Sequence, residues 1–158
     1  MKKNVSRDIS YASSAQSLAG RALIRSLENI TGRIGLIKRA ANYDIEVASG
    51  KNFWEVIVDR YDLKLDLISG SLDNIGKRGP VVVVSNHPYG RLDGLIMGYI
   101  LSKTRGDFRI LAHRVFKRAK DLDEVILPIS FDEDKNAAKQ NIKTRKDAIS
   151  YLKSGGCI

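Results

Sequence analysis

The sequence predicts an α/β fold with a mixed, largely parallel sheet flanked by helices and preceded by an amphipathic helical region. The first observation is the run Val81–Val84, which lies between a Gly-Pro pair and a Pro-Tyr-Gly turn. Continuous β-branched runs between turn signals are typical of interior strands, because both faces of such strands are covered. The second observation is that segments with strand and helix patterns alternate along the chain, which indicates βαβ units with right-handed crossovers.

Two regions are expected, an N-terminal one over residues 1–50 and the N-terminal part of an α/β domain over residues 51–158. After a polar start of about 14 residues, the pattern between residues 15 and 38 predicts a basic amphipathic helix that ends or is interrupted near Gly32 and Gly35. Such a helix lies on a bilayer or packs its apolar stripe on the sheet, and the sequence leaves both open. The apolar residues at near-helical spacing are Leu18, Ala22, Leu27, Ile30 and Ile34.

The remaining elements follow from periodicity. Phe53–Val58 favours a helix with core aromatics, and Leu63–Ile68 alternates like a half-exposed strand. The last helix is expected to turn Ile142, Ile149 and Leu152 inward and Lys139, Lys143 and Lys146 outward. After the valine run the pattern predicts a helix at 92–102, a strand at 108–112, a short basic turn through 120, a strand at 125–130 and a helix at 136–153.

The net charge of +9 over 158 residues is unevenly placed. Residues 1–50 carry eight basic against four acidic residues, and residues 81–120 carry eight against two. This excess suits a phosphate-bearing substrate or an anionic membrane surface. It also suits nucleic acid, but the chain has no zinc-ligand spacing, RNA-binding aromatic motif or recognition helix, so nucleic acid is the less favoured partner.

Composition also bears on compartment and cofactors. Cys157 is the only cysteine, which excludes an intrachain disulfide and favours a reducing compartment. We expect a cytoplasmic protein that contacts the inner face of the membrane peripherally, because no signal peptide and no spanning run of about 20 apolar residues stands out. The two histidines lack a ligand cluster and no glycine-rich nucleotide motif follows a strand, so no metal or nucleotide cofactor is expected.

The candidate catalytic pair is His87 and Asp93, just after the valine run. Ligands of open α/β sheets bind at the carboxyl ends of strands, and the turn between the two residues allows their side chains to meet. A neutral imidazole accepts a proton near pH 7, and a carboxylate on its other nitrogen fixes the tautomer and stabilises the imidazolium. The alternatives are a capping or core role for His87 and a helix N-cap role for Asp93.

Five residues are candidates for substrate binding. Asn86 is expected to hold the turn by side-chain hydrogen bonds, and Gly90 is expected to allow close approach. The basic cluster after residue 113 either grips a phosphate or an acyl carrier protein, or is a solvated basic face. The five candidates are Asn86, Gly90, Arg91, Arg114 and Lys117.

On these residues the chain resembles the glycerolipid acyltransferases typified by 1-acylglycerol-3-phosphate acyltransferase, whose first block is Asn-His, four variable residues, then Asp. Here five residues separate His87 from Asp93, and the surrounding Pro88, Gly90 and Gly94 look more like the bacterial hemolysin-like lysophospholipid and ornithine-lipid branch. The lead-in at residues 72–75 and the segments 109–114 and 126–129 also look like that branch, although His113 stands where the branch has asparagine and is assigned no role.

The resemblance implies an acyltransferase of phospholipid biosynthesis. Such an enzyme moves a fatty acyl group from coenzyme A or acyl carrier protein to a hydroxyl of a lysophospholipid or related lipid, with His87 as general base and Asp93 as its partner. The acyl thioester is then a co-substrate and no cofactor is needed. The family's third block is expected directly after residue 158, so the chain is expected to be truncated there. The alternative is a noncatalytic, membrane-peripheral or anionic-ligand-binding α/β module.

Overall fold

The computed structural model describes residue 12 and residues 15–114 and 120–158. The chain forms two compact units, Met1–Lys64 and Leu65–Ile158. The described part of the first unit is helical, whereas the second combines helices with parallel strands.

This combination agrees with the predicted α/β class, although the regular sheet within the described residues has two strands and is small. The predicted division into residues 1–50 and 51–158 stays a prediction.

The described part of the first unit consists of short helices joined by tight turns. The predicted amphipathic helix is two helices, and the chain breaks near Gly32, as predicted. Gly32 has a φ of 104°, a left-handed conformation that glycine adopts without steric cost. Ser17 caps the first helix, since its side chain accepts a hydrogen bond of 3.0 Å from the Gly20 amide. The helices are α1 (Leu18–Ile30), α2 (Arg33–Ala40), α3 (Tyr43–Ala48) and α4 (Phe53–Arg60).

Two arginines tie these helices together. The buried Arg33 donates a hydrogen bond of 3.0 Å to Asn29 Oδ1 and so joins α2 to the last turn of α1. Arg60 on α4 donates from Nε to Glu46 Oε1 of α3 at 2.8 Å. Hydrogen bonds from Lys51 and Arg60 lower the pKa of Glu46.

Helix α4 supplies most of the buried apolar side chains that are described in the first unit. Trp54, Val56, Ile57 and Val58 are buried. Phe53 packs edge-to-face against Trp54 with ring centroids 5.1 Å apart. The predicted helix and the core position of Trp54 are confirmed.

The second unit follows the predicted order of helix, strand, strand and helix. The two strands, β1 and β2, are parallel, and Ile110 lies opposite Ile126. The last helix is fastened to β2, because Thr144 Oγ1 donates to the Pro128 carbonyl at 2.7 Å. The elements are α5 (Arg91–Thr104), β1 (Ile110–His113), β2 (Ile126–Ile129) and α6 (Lys135–Lys153), with short 3₁₀ turns at Leu72–Asn74 and Lys120–Leu122.

The valine run differs from the predicted interior strand. Val81 pairs in parallel with Cys157, and the Val83 amide donates to the Ile158 carbonyl at 2.7 Å. Val82 and Val84 are 62% and 86% exposed. In the described residues the run therefore pairs on one side only and over a few residues. We call its paired part, residues 81–83, the valine segment.

Residues 156–158 lie between the valine segment and β1. The Arg109 amide, directly before β1, donates to the Cys157 carbonyl at 2.8 Å. The chain reaches β1 from the valine segment through α5, and it reaches residues 156–158 from β2 through α6. Helical crossovers of this kind join parallel strands. The order is therefore valine segment, residues 156–158, β1 and β2, with the carboxyl ends at one edge.

Two further expectations were wrong. Leu63–Ile68 forms no strand, and its alternating residues have no neighbouring strand to pair with among the described residues. On α6, Ile142 and Ile149 are 59% and 42% exposed rather than inward. Small side chains let this helix approach β2 closely, so the buried positions are Ala137, Thr144 and Ala148.

Arg105, just after α5, holds the start of the valine segment. Its side chain is 2% exposed, and its Nε lies 3.0 Å from Asp107 Oδ1. It donates to the carbonyls of Gly76 and Gly79 at 2.6 and 2.7 Å and also to the carbonyl of Gly155. One guanidinium thus fixes the loops that lead into two neighbouring strands.

Arg105→Gln is expected to destabilise the second unit by about 3 kcal/mol, because it removes the charged donor that three loop carbonyls share, two of them part-buried. Cys157 is fully buried in this unit and burial raises the pKa of its thiol, so its labelling rate reports opening of the unit. The variant is expected to label about 100-fold faster. The exposed Arg145→Gln should stay within about 0.5 kcal/mol of the parent. Equal labelling rates for the two variants would contradict the role of Arg105.

Candidate functional site

His87 and Asp93 meet across the turn that leads into α5. His87 Nδ1 lies 3.4 Å from Asp93 Oδ2, and the two side chains are 66% and 20% exposed. This separation is longer than a normal N–H···O hydrogen bond, as is common for acid–base pairs without bound substrate. The geometry leaves Nε2 of His87 as the nitrogen turned away from the carboxylate. The two residues are therefore placed as an imidazole–carboxylate pair.

Asp93 also stabilises the beginning of α5. Its Oδ2 accepts a hydrogen bond of 2.7 Å from the Tyr89 amide. The N-cap residue is Gly90, so the alternative that Asp93 itself is the N-cap is wrong. Asp93 is the third residue of the helix. A carboxylate at this position accepts hydrogen bonds from amides just before the helix, and it interacts favourably with the positive end of the helix dipole.

The turn depends on the conformation of Gly90, which has a φ of 61° and a ψ of −113°. This combination is sparsely populated by residues that carry a Cβ. A methyl group at this position would meet open space, since no described atom beyond the chain neighbours and the adjoining helix backbone lies within 4 Å of where the Cβ would be. The requirement for glycine is therefore one of backbone strain and not of crowding.

The other predicted binding residues divide into three groups. Asn86 is exposed beside His87, and its side chain has no hydrogen bond within the described residues, so the predicted side-chain hold on the turn is not seen there. Arg91 begins α5, but its side chain, like all of Lys117, lies outside the described part of the chain. Arg114 follows β1 and its NH2 lies 2.6 Å from Asp132 Oδ2.

The polar residues that follow β2 were not identified as candidate site residues in the sequence analysis. Ser130 is buried, and its Oγ donates to Asp132 Oδ2 at 3.0 Å. Asn141 of α6 binds the Ser130 backbone on both sides, accepting from its amide at 2.9 Å and donating to its carbonyl at 2.8 Å. The signal in the sequence is the short polar stretch directly after a predicted strand, at the edge where ligands bind.

His113 has a packing role. Its ring stacks on that of Phe131, with centroids 5.8 Å apart and planes 10° from parallel. The two residues lie at or near the carboxyl ends of β1 and β2.

Two features bear on membranes and metals. No helix in the described part of the chain is long and apolar enough to cross a bilayer. No group of three or more metal-binding side chains was found among the residues that the structure describes.

An imidazole backed by a carboxylate at the end of a parallel strand is an arrangement for moving a proton, which is what acyl-transfer enzymes need. Two relatives carry the name lyso-glycine lipid O-acyltransferase. The protein from Phocaeicola vulgatus is 33% identical over 82 residues, 51% of this chain and 29% of the relative. The protein from Bacteroides thetaiotaomicron is 29% identical over 82 residues, with the same shares.

The chain is thus related in sequence to acyltransferases. The match spans less than a third of the length of these relatives, at 29% of each. No family model matches the chain, and no solved structure matches it. The particular superfamily and the hemolysin-like branch stay predictions.

Gly90→Ala is expected to destabilise the second unit by about 1 to 3 kcal/mol through backbone strain alone. The matched control is Gly94→Ala in the same helix, where φ is not left-handed and the Cβ position is open. That change should stabilise by about 0.5 to 1 kcal/mol. Urea titration followed by Cys157 labelling measures both, and opposite signs for the two alanines are expected. A loss of stability at Gly94 equal to that at Gly90 would contradict the turn geometry.

Proposed function

We propose that this chain contributes the acid–base pair of a lipid O-acyltransferase, which moves a fatty acyl group from an acyl thioester to a hydroxyl of an acceptor lipid. The observation that carries the proposal is the contact of 3.4 Å between His87 Nδ1 and Asp93 Oδ2, in the turn that follows the valine segment. The relationship to proteins named as lipid O-acyltransferases supports the same class of reaction.

In the proposed reaction, His87 Nε2 takes the proton of the acceptor hydroxyl. The oxygen attacks the thioester carbonyl, the carbon–sulfur bond breaks, and the thiol leaves with the proton from the imidazolium. Asp93 holds the tautomer with the proton on Nδ1 and stabilises the imidazolium. The Tyr89 amide is already bound by Asp93, so other donors stabilise the oxyanion.

The names of the two relatives favour a lyso-glycine lipid as acceptor, whereas the family resemblance implied a lysophospholipid. As an O-acyl acceptor either lipid would offer a free hydroxyl, and the acidic group proposed for it is a glycine carboxylate or a phosphate. The acyl donor is proposed to be a thioester of coenzyme A or of acyl carrier protein, and no further cofactor is proposed. Phospholipid biosynthesis and a cytoplasmic location at the inner face of the membrane remain part of this proposal.

His87→Ala is expected to lower turnover by at least 100-fold, because it removes the general base. The measurement is thiol release from an acyl thioester with a lyso-glycine lipid as acceptor. The other histidine provides a matched control, and His113→Ala should retain turnover within about threefold. Turnover of His87→Ala within a factor of three of the parent would refute the mechanism.

Asp93→Asn separates the two roles of the carboxylate in the same assay. Its amide oxygen still accepts from the Tyr89 amide, so the fold should persist while turnover falls. Unchanged turnover would leave Asp93 with the helix-start role alone.

Helix α1 supports the proposed contact with an anionic membrane surface. Leu23, Leu27 and Ile30 follow spacings of four and three, lie on one side of the helix and are exposed. Arg21 and Arg25, also exposed, lie on the opposite side. An exposed apolar stripe backed by basic residues is typical of helices that lie in the membrane interface.

The double change Leu23→Ser and Leu27→Ser is expected to weaken binding to vesicles with anionic lipid by at least about tenfold, because two apolar side chains no longer enter the acyl boundary. Sedimentation with vesicles measures the effect. Ile45→Ser, which alters another exposed apolar residue of the same unit, is the control and should bind like the parent. Equal loss in both variants would argue against α1 as the contact.

A noncatalytic, membrane-peripheral or anionic-ligand-binding module is the second candidate. The observation that favours it is the 66% exposure of the His87 side chain, since proton transfer is more effective in a site that excludes water. Vesicle binding by the parent without thiol release would support this module over the enzyme.

A further inference from the structure

A second polar cluster lies after the ends of β1 and β2, apart from the His87 and Asp93 pair. It consists of Arg114, which follows β1, and of Ser130 and Asp132, which follow β2. Neighbouring strands are about 4.8 Å apart, so the valine segment, two positions from β1, lies about 10 Å from it. The cluster and the catalytic pair therefore follow the carboxyl ends of strands in one small sheet.

A chain of hydrogen bonds fixes this cluster to the fold. Asn141 on α6 binds both the amide and the carbonyl of Ser130, at 2.9 and 2.8 Å. The Ser130 hydroxyl donates to Asp132 Oδ2 at 3.0 Å, and the Asp132 amide donates back to that hydroxyl at 3.3 Å. The carboxylate is thereby held in one orientation, although it is itself 48% exposed.

Asp132 in turn holds Arg114. The same oxygen, Oδ2, lies 2.6 Å from Arg114 NH2, and the arginine side chain is 54% exposed. A guanidinium has five N–H donors in a planar fork. Asp132 occupies one side of that fork, and the structure gives Nε and NH1 no acceptor within the described residues. A half-exposed arginine with an oriented, partly unused fork is suited to bind a carboxylate or phosphate through two hydrogen bonds.

We propose that Arg114 binds the acidic head group of the acceptor lipid and that Asp132 is the positioning residue that orients its guanidinium for this contact. The proposal rests on the proposed function for the reaction that follows binding. The shared chemistry is a singly or doubly charged oxyanion, supplied either by a carboxylate or by a phosphate. Because Asp132 already balances the charge of Arg114, the pair selects the anion by hydrogen-bond geometry.

Binding to lipids below their critical micelle concentration tests the subsite without turnover. The probes are N-decanoylglycine, its methyl ester, and 1-decanoylglycerol 3-phosphate, each titrated into the full chain by calorimetry. The parent is expected to bind an acidic probe at least about tenfold more tightly than the ester, the effect of one pair of charge-assisted hydrogen bonds. Preference for N-decanoylglycine indicates a carboxylate acceptor, and preference for the phosphate probe indicates a phosphate acceptor.

Variants separate positioning from folding. Arg114→Gln is expected to bind the acid and the ester equally, whereas Arg145→Gln should keep the parent's preference. Asp132→Asn is expected to weaken binding of the acid by about three- to tenfold at an unchanged rate of Cys157 labelling, and Asp132→Glu should recover part of it. In the acyl-transfer assay Asp132→Asn is expected to raise the KM for the acceptor and to leave kcat unchanged.

Two results with the subsite variants would overturn the subsite. The first is an acid-to-ester ratio in Arg114→Gln equal to that of the parent. The second is tighter binding of the acid by Asp132→Asn, which would mean that Asp132 competes with the ligand for Arg114. His87→Ala should leave all these binding constants unchanged. If His87→Ala loses turnover and the parent binds the acid and the ester equally, the acyltransferase is supported and the subsite alone is refuted.

Discussion

The geometry of the second unit depends on α5 holding the valine run at both ends. At the beginning of the helix, the Asp93 carboxylate binds the Tyr89 amide and faces His87. Just after its end, the buried Arg105 binds the Gly79 carbonyl, where the run begins. The helix spans about 21 Å, so these two attachments add to the backbone hydrogen bonds that join the valine segment to residues 156–158. The position of His87 is therefore a consequence of helix contacts as much as of strand pairing.

Sequence periodicity predicted what is local. The helices other than α3, which was not predicted, the break at Gly32, the two regular strands and the approach of His87 to Asp93 all follow from patterns within about 20 residues. Periodicity failed where burial depends on neighbours that are distant in sequence. The valine run predicted a strand covered on both faces, but coverage depends on neighbours that no local pattern contains, and Val84 is 86% exposed. Apolar residues predicted the inner face of α6, whereas close approach to β2 buries Thr144 and two alanines instead.

Asp93 shows why a helix-start role and a catalytic role are compatible in one carboxylate. An ionised carboxylate has about four lone-pair sites, so an amide and an imidazole can share it. Oδ2 of Asp93 lies 2.7 Å from the Tyr89 amide and 3.4 Å from His87 Nδ1, so one oxygen serves both contacts. The structural contact therefore supports the proposed chemistry rather than competing with it.

The two arginines at the sheet differ in burial and pairing, and opposite uses are proposed for them. Arg105 is 2% exposed, and carbonyls and Asp107 surround its fork, so its contribution is structural. Arg114 is 54% exposed and bound on one side by Asp132. A lone surface arginine attracts any anion in proportion to charge, an effect that salt screens. An arginine whose charge is balanced and whose fork is oriented instead distinguishes ligands by where their oxygens lie. The burial and pairing of each guanidinium, more than the net charge of the chain, thus decide its role.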